Sequence, residues 1–249
     1  MTWALRICFS ALVGIALLAP TPASTVRGSV DLSRDATGHK HKDYSGVVVW
    51  LEPLAGSVAT PVPSGPAHGV RSRDIWLMVQ KNKAFTPHVL AIPVGGSVSF
   101  PNLDPIFHNA FSNFNGQIFD VALYKPGSSR TVAFRREGIV RVFCNIHPQM
   151  SAIIAVLATP YFAVSDKEGV FTILNVPPGD YQFHVFHERA APETLDKLAR
   201  KITVETAMLE LPPLSISESG YLPEPHKNKY GKDYPPVIDG RPGYSGAEK

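Results

Sequence analysis

Beyond its N-terminal segment, the sequence contains no apolar run long enough to cross a bilayer. That segment holds an apolar run over residues 7–19, which follows Arg6 and precedes small residues such as Ala23 and Ser24. A spanning helix needs about 20 consecutive apolar residues, so residues 1–24 are expected to be a cleavable secretory signal rather than an anchor. The mature protein is therefore expected to be periplasmic or otherwise exported, with no membrane span.

Cysteine is scarce as well. The chain has 2 cysteines, Cys8 and Cys144, and Cys8 lies within the predicted signal. The exported protein would then carry one thiol in an oxidising compartment, where disulfides are the usual state of cysteines. Such a thiol must be free, form an intermolecular bond or bind something else. Ligation of a metal explains Cys144 best.

An excess of charge of one sign is also missing. The formal net charge is +3, from 24 basic and 21 acidic residues. Nucleic acids and acidic membrane surfaces select strongly basic partners, so neither is expected as the main partner of this chain.

Helical periodicity is nearly absent, and short strand patterns separated by proline and glycine turns take its place. One short helix is expected near residues 192–200. The remaining patterns predict an all-β protein, in which the second block of strands forms a small sandwich or barrel. They divide into strand blocks at 25–54, 70–158 and 159–212, a linker at 55–69, and a Pro- and Gly-rich tail at 213–249 that is expected to be disordered or strapped over the surface.

Residues 140–150, with the sequence VRVFCNIHPQM, are the most informative stretch. Val140, Val142 and Cys144 occupy alternate positions, so they share one face of a predicted strand. Because the two valines are apolar, that face is expected to point into the core and to carry the thiol with it.

His147 and Met150 follow Cys144 at spacings of three residues, close enough to converge on one point from a single loop. A thiolate, an imidazole and a weak thioether are donors of a copper electron-transfer site, which then lacks only a second histidine. The candidate for that histidine is His108.

Other chemistries fit these residues less well. A thioether is a poor zinc ligand, and structural zinc sites favour several cysteines. A cysteine nucleophile would leave Met150 without a role. The motif C-x-x-C-H is absent, which excludes haem attachment by that route.

Residues 75–158 resemble a cupredoxin, the blue-copper fold. The motifs that carry the resemblance are FTPH at 85–88, VGGSVSF at 94–100, NLD at 102–104, HN at 108–109 and CNIHPQM at 144–150. The spacing C-x2-H-x2-M is similar to the ligand loop of amicyanin. In its exported context the chain resembles plastocyanin-like periplasmic proteins of methylamine utilisation.

The resemblance implies a Greek-key sandwich that holds one type 1 copper ion. It implies that Cys144, His108 and His147 are the strong trigonal ligands and that Met150 is the long axial ligand. The exposed edge of His147 is then the expected exit for electrons.

Two further residues are expected to support the ligands. Asn109 resembles the family asparagine that joins the two ligand loops by hydrogen bonding outside the ligand shell. Pro148 is expected to stiffen the loop between two ligands.

Residues 161–186 resemble a carboxypeptidase regulatory-like domain, a transthyretin-like β-sandwich. The motifs are SDKEGVF at 165–171 and NVPPGDY at 175–181. Such domains begin with strands like those at 26–30 and 47–51, which precede the cupredoxin-like block. We therefore expect a discontinuous sandwich made of 25–54 and 159–212, with 70–158 inserted. In the alternative, two domains follow in tandem and residues 26–53 add strands to the cupredoxin-like block.

These features favour an exported copper protein that carries single electrons and is not an enzyme. The expected partner is a redox protein such as a c-type cytochrome or a periplasmic dehydrogenase. Two alternatives remain open: a Cu(I) carrier or storage protein, and a wall- or carbohydrate-binding sandwich with an accessory copper site.

Overall fold

The computed structural model describes residues 23–33, 43–56, 75–113, 116–205, 208–219 and 226–234, and the backbone of 237–238 and 241–242. The predicted signal and the predicted linker therefore lie almost wholly outside the described residues. Within the described ranges the chain is all-β with one short helix, which confirms the predicted fold class. No helix in these ranges is both long enough and apolar enough to cross a membrane.

The strands fall into three groups along the chain. The first group is β1 (Ser24–Ser33) and β2 (Val48–Pro53). The second group is β3 (Ile75–Leu77), β4 (Val79–Lys81), β5 (Ala84–Thr86), β6 (Val89–Pro93), β7 (Ser97–Pro101), β8 (Phe111–Ser112), β9 (Phe119–Asp120), β10 (Ser129–Ala133), β11 (Gly138–Phe143) and β12 (Ser151–Leu157). The third group is β13 (Phe162–Val164), β14 (Val170–Val176), β15 (Gly179–Phe186), α1 (Pro192–Leu198), β16 (Arg200–Val204), β17 (Met208–Glu210), β18 (Leu214–Ser217), β19 (Val237–Ile238) and β20 (Arg241–Pro242).

The first group and strands β13 to β18 together form a sandwich, while β19 and β20 pair with each other. β1 lies between β14 and β17 and also pairs with β18, and the facing sheet has the order β13-β2-β15-β16. Burial alternates residue by residue along β1, as expected for a strand with one face on a core. That core contains Val26, Leu51, Phe171, Tyr181 and Phe183, among others.

The pairing of β2 bears on the two arrangements expected from the sequence. β2 pairs with β13 and β15, and within the described ranges it pairs with no strand of the second group. This is the pairing that the insertion hypothesis requires, while the domain boundaries themselves stay a prediction.

The second group forms three further sheets, two of them around a core of its own. The two larger sheets have the orders β10-β7-β3 and β6-β12-β11-β8-β9, and the third is the pair β4-β5. β11 and β12 form an antiparallel hairpin in which Val140 lies opposite Ile154. Phe100 from one sheet and Val142 from the other belong to the same buried cluster, and Cys144 lies in it too. The alternation of residues 140–144 therefore directs the thiol into the core as predicted.

A third buried cluster connects the sandwich to the second group. It places Val48 and Phe162 from the sandwich against Val89, Ile153 and Ala155 from β6 and β12. Burial of such side chains stabilises a fold by roughly 25 cal/mol per Å² of apolar area. This cluster therefore holds the sandwich in contact with the second group of strands.

Two predicted boundaries differ from the structure. The helix ends at Leu198 rather than at residue 200, because Arg200 begins β16 and pairs with Phe183. The predicted tail begins at residue 213, yet β18 pairs with β1 in parallel. Leu214 and Ile216 are buried while Ser215 is exposed, so β18 is a strand with one face on the core. Two apolar residues in a polar segment make too short an alternation to be recognised as a strand from the sequence.

Candidate metal centre

Cys144 directly follows β11, where the hairpin to β12 turns. The backbone N–H of Met150 donates to the carbonyl of His147 at 3.0 Å, and the N–H of Cys144 donates to the carbonyl of Met150 at 3.1 Å. The loop therefore closes on itself and returns His147 to the neighbourhood of Cys144.

His108 lies in the connection between β7 and β8. Its backbone exchanges two hydrogen bonds with Tyr124, at 3.2 Å and 2.9 Å. The Tyr124 hydroxyl in turn donates to the carbonyl of Phe100 at 2.8 Å inside the core. These bonds fix the loop that carries His108, which is not itself a strand, to the sheet that contains Phe100.

The structure brings three of the four predicted ligands together by their donor atoms. The Sγ atom of Cys144 lies 3.8 Å from Nδ1 of His108 and 3.6 Å from Nδ1 of His147. The three donor atoms all lie within 4.8 Å of one another. Both histidines therefore turn the same ring nitrogen toward the same sulfur.

These separations fit a metal ion placed between the three atoms. Metal–nitrogen and metal–sulfur bonds of ~2.0–2.3 Å at trigonal angles put nitrogen and sulfur ~3.7 Å apart. The observed distances of 3.6 Å and 3.8 Å lie on either side of that value. One thiol and two imidazoles form the donor set of trigonal copper sites, so the residues present fit copper.

All four predicted ligands are buried. Cys144 and His108 are 0% exposed, Met150 is 1% exposed and His147 is 5% exposed. His147 keeps the largest exposed fraction of the four, and the exit of electrons at its edge stays a prediction. The ring of His147 packs on that of His108 with 4.9 Å between centroids.

The environment controls the protonation of two ligands. Burial, followed by the nearby His108 and Lys83, lowers the pKa of His147 to about 4, so its imidazole is neutral at pH 7. Burial raises the pKa of the Cys144 thiol, although backbone N–H groups, including that of Asn109, oppose this change. A cation bound here must displace the thiol proton, and the amides already favour the resulting thiolate.

Asn109 connects the two segments that carry the ligands. Its side-chain oxygen accepts the backbone N–H of Asn145 at 3.1 Å, and its Nδ2 donates to Oδ1 of Asp120 at 2.7 Å. Asn109 is fully buried. Its bond with Asn145 is buried as well, whereas its bond with Asp120 is only partly buried. The supporting role expected of Asn109 stays a prediction.

Met150 and Pro148 lie on the same loop. Met150 belongs to the buried cluster that contains Cys144, whereas Pro148 is half-buried. The assignments of Met150 as axial ligand and of Pro148 as loop stiffener stay predictions.

A C-terminal segment, residues 226–234, lies against the ligand loop, and we call it the strap. The Tyr234 hydroxyl donates to the carbonyl of Cys144 at 2.8 Å. The His226 ring stacks on Phe143 with 4.0 Å between centroids. The strap therefore contacts the last residue of β11 and the residue that follows it.

The strap also joins the network around Asn109. The backbone N–H of Lys229 donates to Oδ1 of Asn145 at 3.0 Å, and its ammonium group lies 2.8 Å from Oδ2 of Asp120. Asp120 thus accepts a hydrogen bond from Asn109 on Oδ1 and one from Lys229 on Oδ2.

A tail strapped over the surface was one of the two expectations for residues 213–249, but its contact with the ligand loop was not predicted, and one carboxylate was missed. Oδ2 of Asp104 lies 2.7 Å from Nε2 of His108, on the ring nitrogen opposite the one that faces Cys144. Asp104 is in the NLD motif four residues before His108, which was a usable signal. The sequence signal for the strap is weaker and consists of His226 and Tyr234 in a segment with little apolar content.

No family model matches the chain, and no curated protein matches it. Among solved structures, a purple cupredoxin from Nitrosopumilus maritimus is similar to 33% of this chain over 99% of its own length, at 24% identity and a TM-score of 0.30. A copper-containing nitrite reductase from Thermus scotoductus matches 39% of this chain over 27% of its own length, at 28% identity and a TM-score of 0.34. A reduced, Cu(I) form of an amicyanin variant matches 40% of this chain over 96% of its own length, at 17% identity and a TM-score of 0.32. Likenesses of this extent carry no conclusion about the function of this chain.

Proposed function

We propose that the chain binds one copper ion through Cys144, His108 and His147, with Met150 as a weak axial ligand, and that it carries single electrons. The observation that carries the proposal is the pair of Nδ1 atoms that face Sγ of Cys144 at 3.6 Å and 3.8 Å. A bound copper ion supplies a one-electron couple between Cu(II) and Cu(I).

The contribution of the protein is a ligand cage that is fixed in advance. Cys144 is attached to β11, and His108 is held to Tyr124 by backbone hydrogen bonds. Asn109 connects the two ligand segments. Because these anchors belong to sheets and a closed loop, the donors change position little between oxidation states, which is the property that electron carriers require.

We also propose the cellular setting expected from the sequence. Residues 1–24 are a cleavable signal, the mature protein is periplasmic, and it is not an enzyme. Its partner is a redox protein such as a c-type cytochrome or a periplasmic dehydrogenase. The single cysteine of the mature sequence supports this proposal, since a metal-bound thiolate is protected from disulfide formation.

Copper loading tests the proposal directly. Addition of one equivalent of Cu(II) to the mature protein is expected to give an intense sulfur-to-copper charge-transfer band. Cys144→Ala is expected to abolish the band, and His184→Gln, a histidine that stacks on Trp50 in the sandwich, serves as the matched control. A colourless Cu(II) form in which the Cys144 thiol still reacts with a thiol reagent would refute the proposal.

A second candidate function is a Cu(I) carrier or storage protein. The burial of all four predicted ligands to 5% exposure or less favours retention of the metal. Voltammetry separates the two functions, because an electron carrier gives a reversible one-electron wave and a storage protein does not cycle.

A further inference from the structure

His108 contacts a carboxylate on the side of its ring away from Cys144. Its Nε2 lies 2.7 Å from Oδ2 of Asp104, while its Nδ1 faces the sulfur. His108 is 0% exposed and Asp104 is 7% exposed, so the contact is shielded from solvent. A neutral imidazole carries one N–H, and a carboxylate accepts it at Nε2, which leaves the lone pair of Nδ1 free to bind a metal.

Asp104 is itself held in place by backbone groups. The N–H of Asn82 donates to Oδ1 at 2.6 Å, and the N–H of Lys83 donates to Oδ2 at 2.9 Å. The N–H of Asp104 donates to the side chain of Asn102 at 3.0 Å. The carboxylate therefore cannot turn away from His108 without losing other hydrogen bonds.

The donors Asn82 and Lys83 belong to the turn between β4 and β5. Both residues have a φ of 55°, a left-handed conformation that points their N–H groups together toward the carboxylate. The two backbone N–H groups and Nε2 of His108 therefore all face one carboxylate. Hydrogen bonds from such donors favour the charged form of a carboxylate.

A purely structural role explains only part of this arrangement. Fixing the turn accounts for the bonds from Asn82 and Lys83. Fixing the turn does not require that Oδ2 also contact Nε2 of His108, and this contact selects the tautomer that carries its proton on Nε2.

We propose that Asp104 is a positioning residue that sets the tautomer of His108 and strengthens its Nδ1 as a donor, so that the site favours Cu(II) over Cu(I). The inference rests on the proposed copper site. A negative charge hydrogen-bonded to a ligand stabilises the ion of higher charge more, so Asp104 lowers the reduction potential of the site.

The test compares Asp104→Asn with the wild type and with Asp120→Asn. Asparagine keeps the shape and an acceptor oxygen at position 104 but removes the charge. Asp120 is a good control because it is a second carboxylate near the site that contacts Asn109 and Lys229 and no predicted ligand. In D104N the preference for Cu(II) over Cu(I) is expected to fall on the order of tenfold. This raises the reduction potential by about 59 mV for one electron. D120N is expected to shift it much less.

The outcomes separate this inference from the proposed function. A wild type without a charge-transfer band refutes the copper site itself. A blue wild type whose potential moves no more in D104N than in D120N refutes the role of Asp104 alone.

A second measurement uses the metal-free wild-type protein and applies even if D104N does not fold. Nitrogen-15 NMR of the ring is expected to show His108 as the Nε2–H tautomer, with slow exchange of that proton. An Nδ1–H tautomer, or a fast-exchanging Nε2 proton, would overturn the proposal.

Discussion

The side-chain oxygen of Asn109 accepts the backbone N–H of Asn145, at 3.1 Å, across the gap between the two segments that carry the predicted ligands. Asn109 follows His108 directly and Asn145 follows Cys144 directly. One buried hydrogen bond therefore fixes the separation of a ring nitrogen and a sulfur that belong to different loops.

Removal of that bond is expected to weaken metal binding. In Asn109→Ala the N–H of Asn145 loses its acceptor, and the copper affinity is expected to fall by about 10- to 100-fold. Competition with a copper chelator measures this loss. Asn113→Ala, at an exposed position, is the matched control. An N109A protein with wild-type affinity would show that the loops are held in place by their sheets alone.

The strap is expected to loosen when its contact with Cys144 is removed. Tyr234→Phe keeps the ring beside His226 but deletes the hydroxyl that donates to the Cys144 carbonyl. Loss of one such bond costs about 1 kcal/mol, so the strap should open roughly fivefold more often. Limited proteolysis within the strap measures the opening. Tyr230→Phe, at a position that is 68% exposed, should be cleaved at the wild-type rate.

The contact between the sandwich and the second group of strands is expected to depend on pH through His88 and Glu188. Nε2 of His88 lies 2.9 Å from the Glu188 carboxylate, with His88 beside β6 and Glu188 just after β15. The hydrogen bond that His88 donates to the Glu188 carboxylate raises the pKa of His88 above its ordinary 6.5. Burial opposes ionisation of Glu188, but the bond from His88 outweighs it and lowers the pKa of Glu188 below its ordinary 4.5.

The two shifts have opposite consequences for stability. The contribution of His88 is complete below pH 6.5 and is lost as the pH rises through its raised pKa. The contribution of Glu188 is present above pH 4.5 and is lost as the pH falls through its lowered pKa. The pair should therefore stabilise the fold most between these values, by about 1 kcal/mol or less because His88 is half exposed. Urea unfolding as a function of pH should show this maximum in the wild type and in Glu137→Gln, an exposed control, but not in Glu188→Gln.

A methyl group at position 28 is expected to destabilise the sandwich without touching the metal site. A Cβ added to Gly28 would lie 2.5 Å from Cζ of Phe171, whose ring is 1% exposed. Overpacking of this kind costs about 1–3 kcal/mol. Gly28→Ala should unfold at a lower urea concentration than Ser29→Ala, a change on the other face of β1. Its copper charge-transfer band should stay unchanged, and a change in the band would show that the sandwich shapes the site.

The sequence carries local information about the site, and this part was predictable. The alternation of Val140, Val142 and Cys144 places the thiol in the core, and the loop spacing brings His147 back to it. The bond between Asp104 and His108 depends on a turn at residues 82–83, which lies far away in sequence and shows no pattern of its own. The tail was expected to be disordered or strapped over the surface, but its contacts with the ligand loop were not predictable, since polar contacts such as that of Tyr234 leave no periodic signal.

The position of β1 has a consequence for the order in which the chain can fold. Within the described ranges β1 pairs only with β14, β17 and β18, and Ser29 lies opposite Val170. β1 therefore stays without these strand partners until more than half of the polypeptide has been made. The second group of strands has all its partners within residues 75–157 and can form earlier. Non-local pairing is slow and leaves edges open to wrong partners, so assembly of the sandwich is the step at which a newly made chain is most exposed to aggregation.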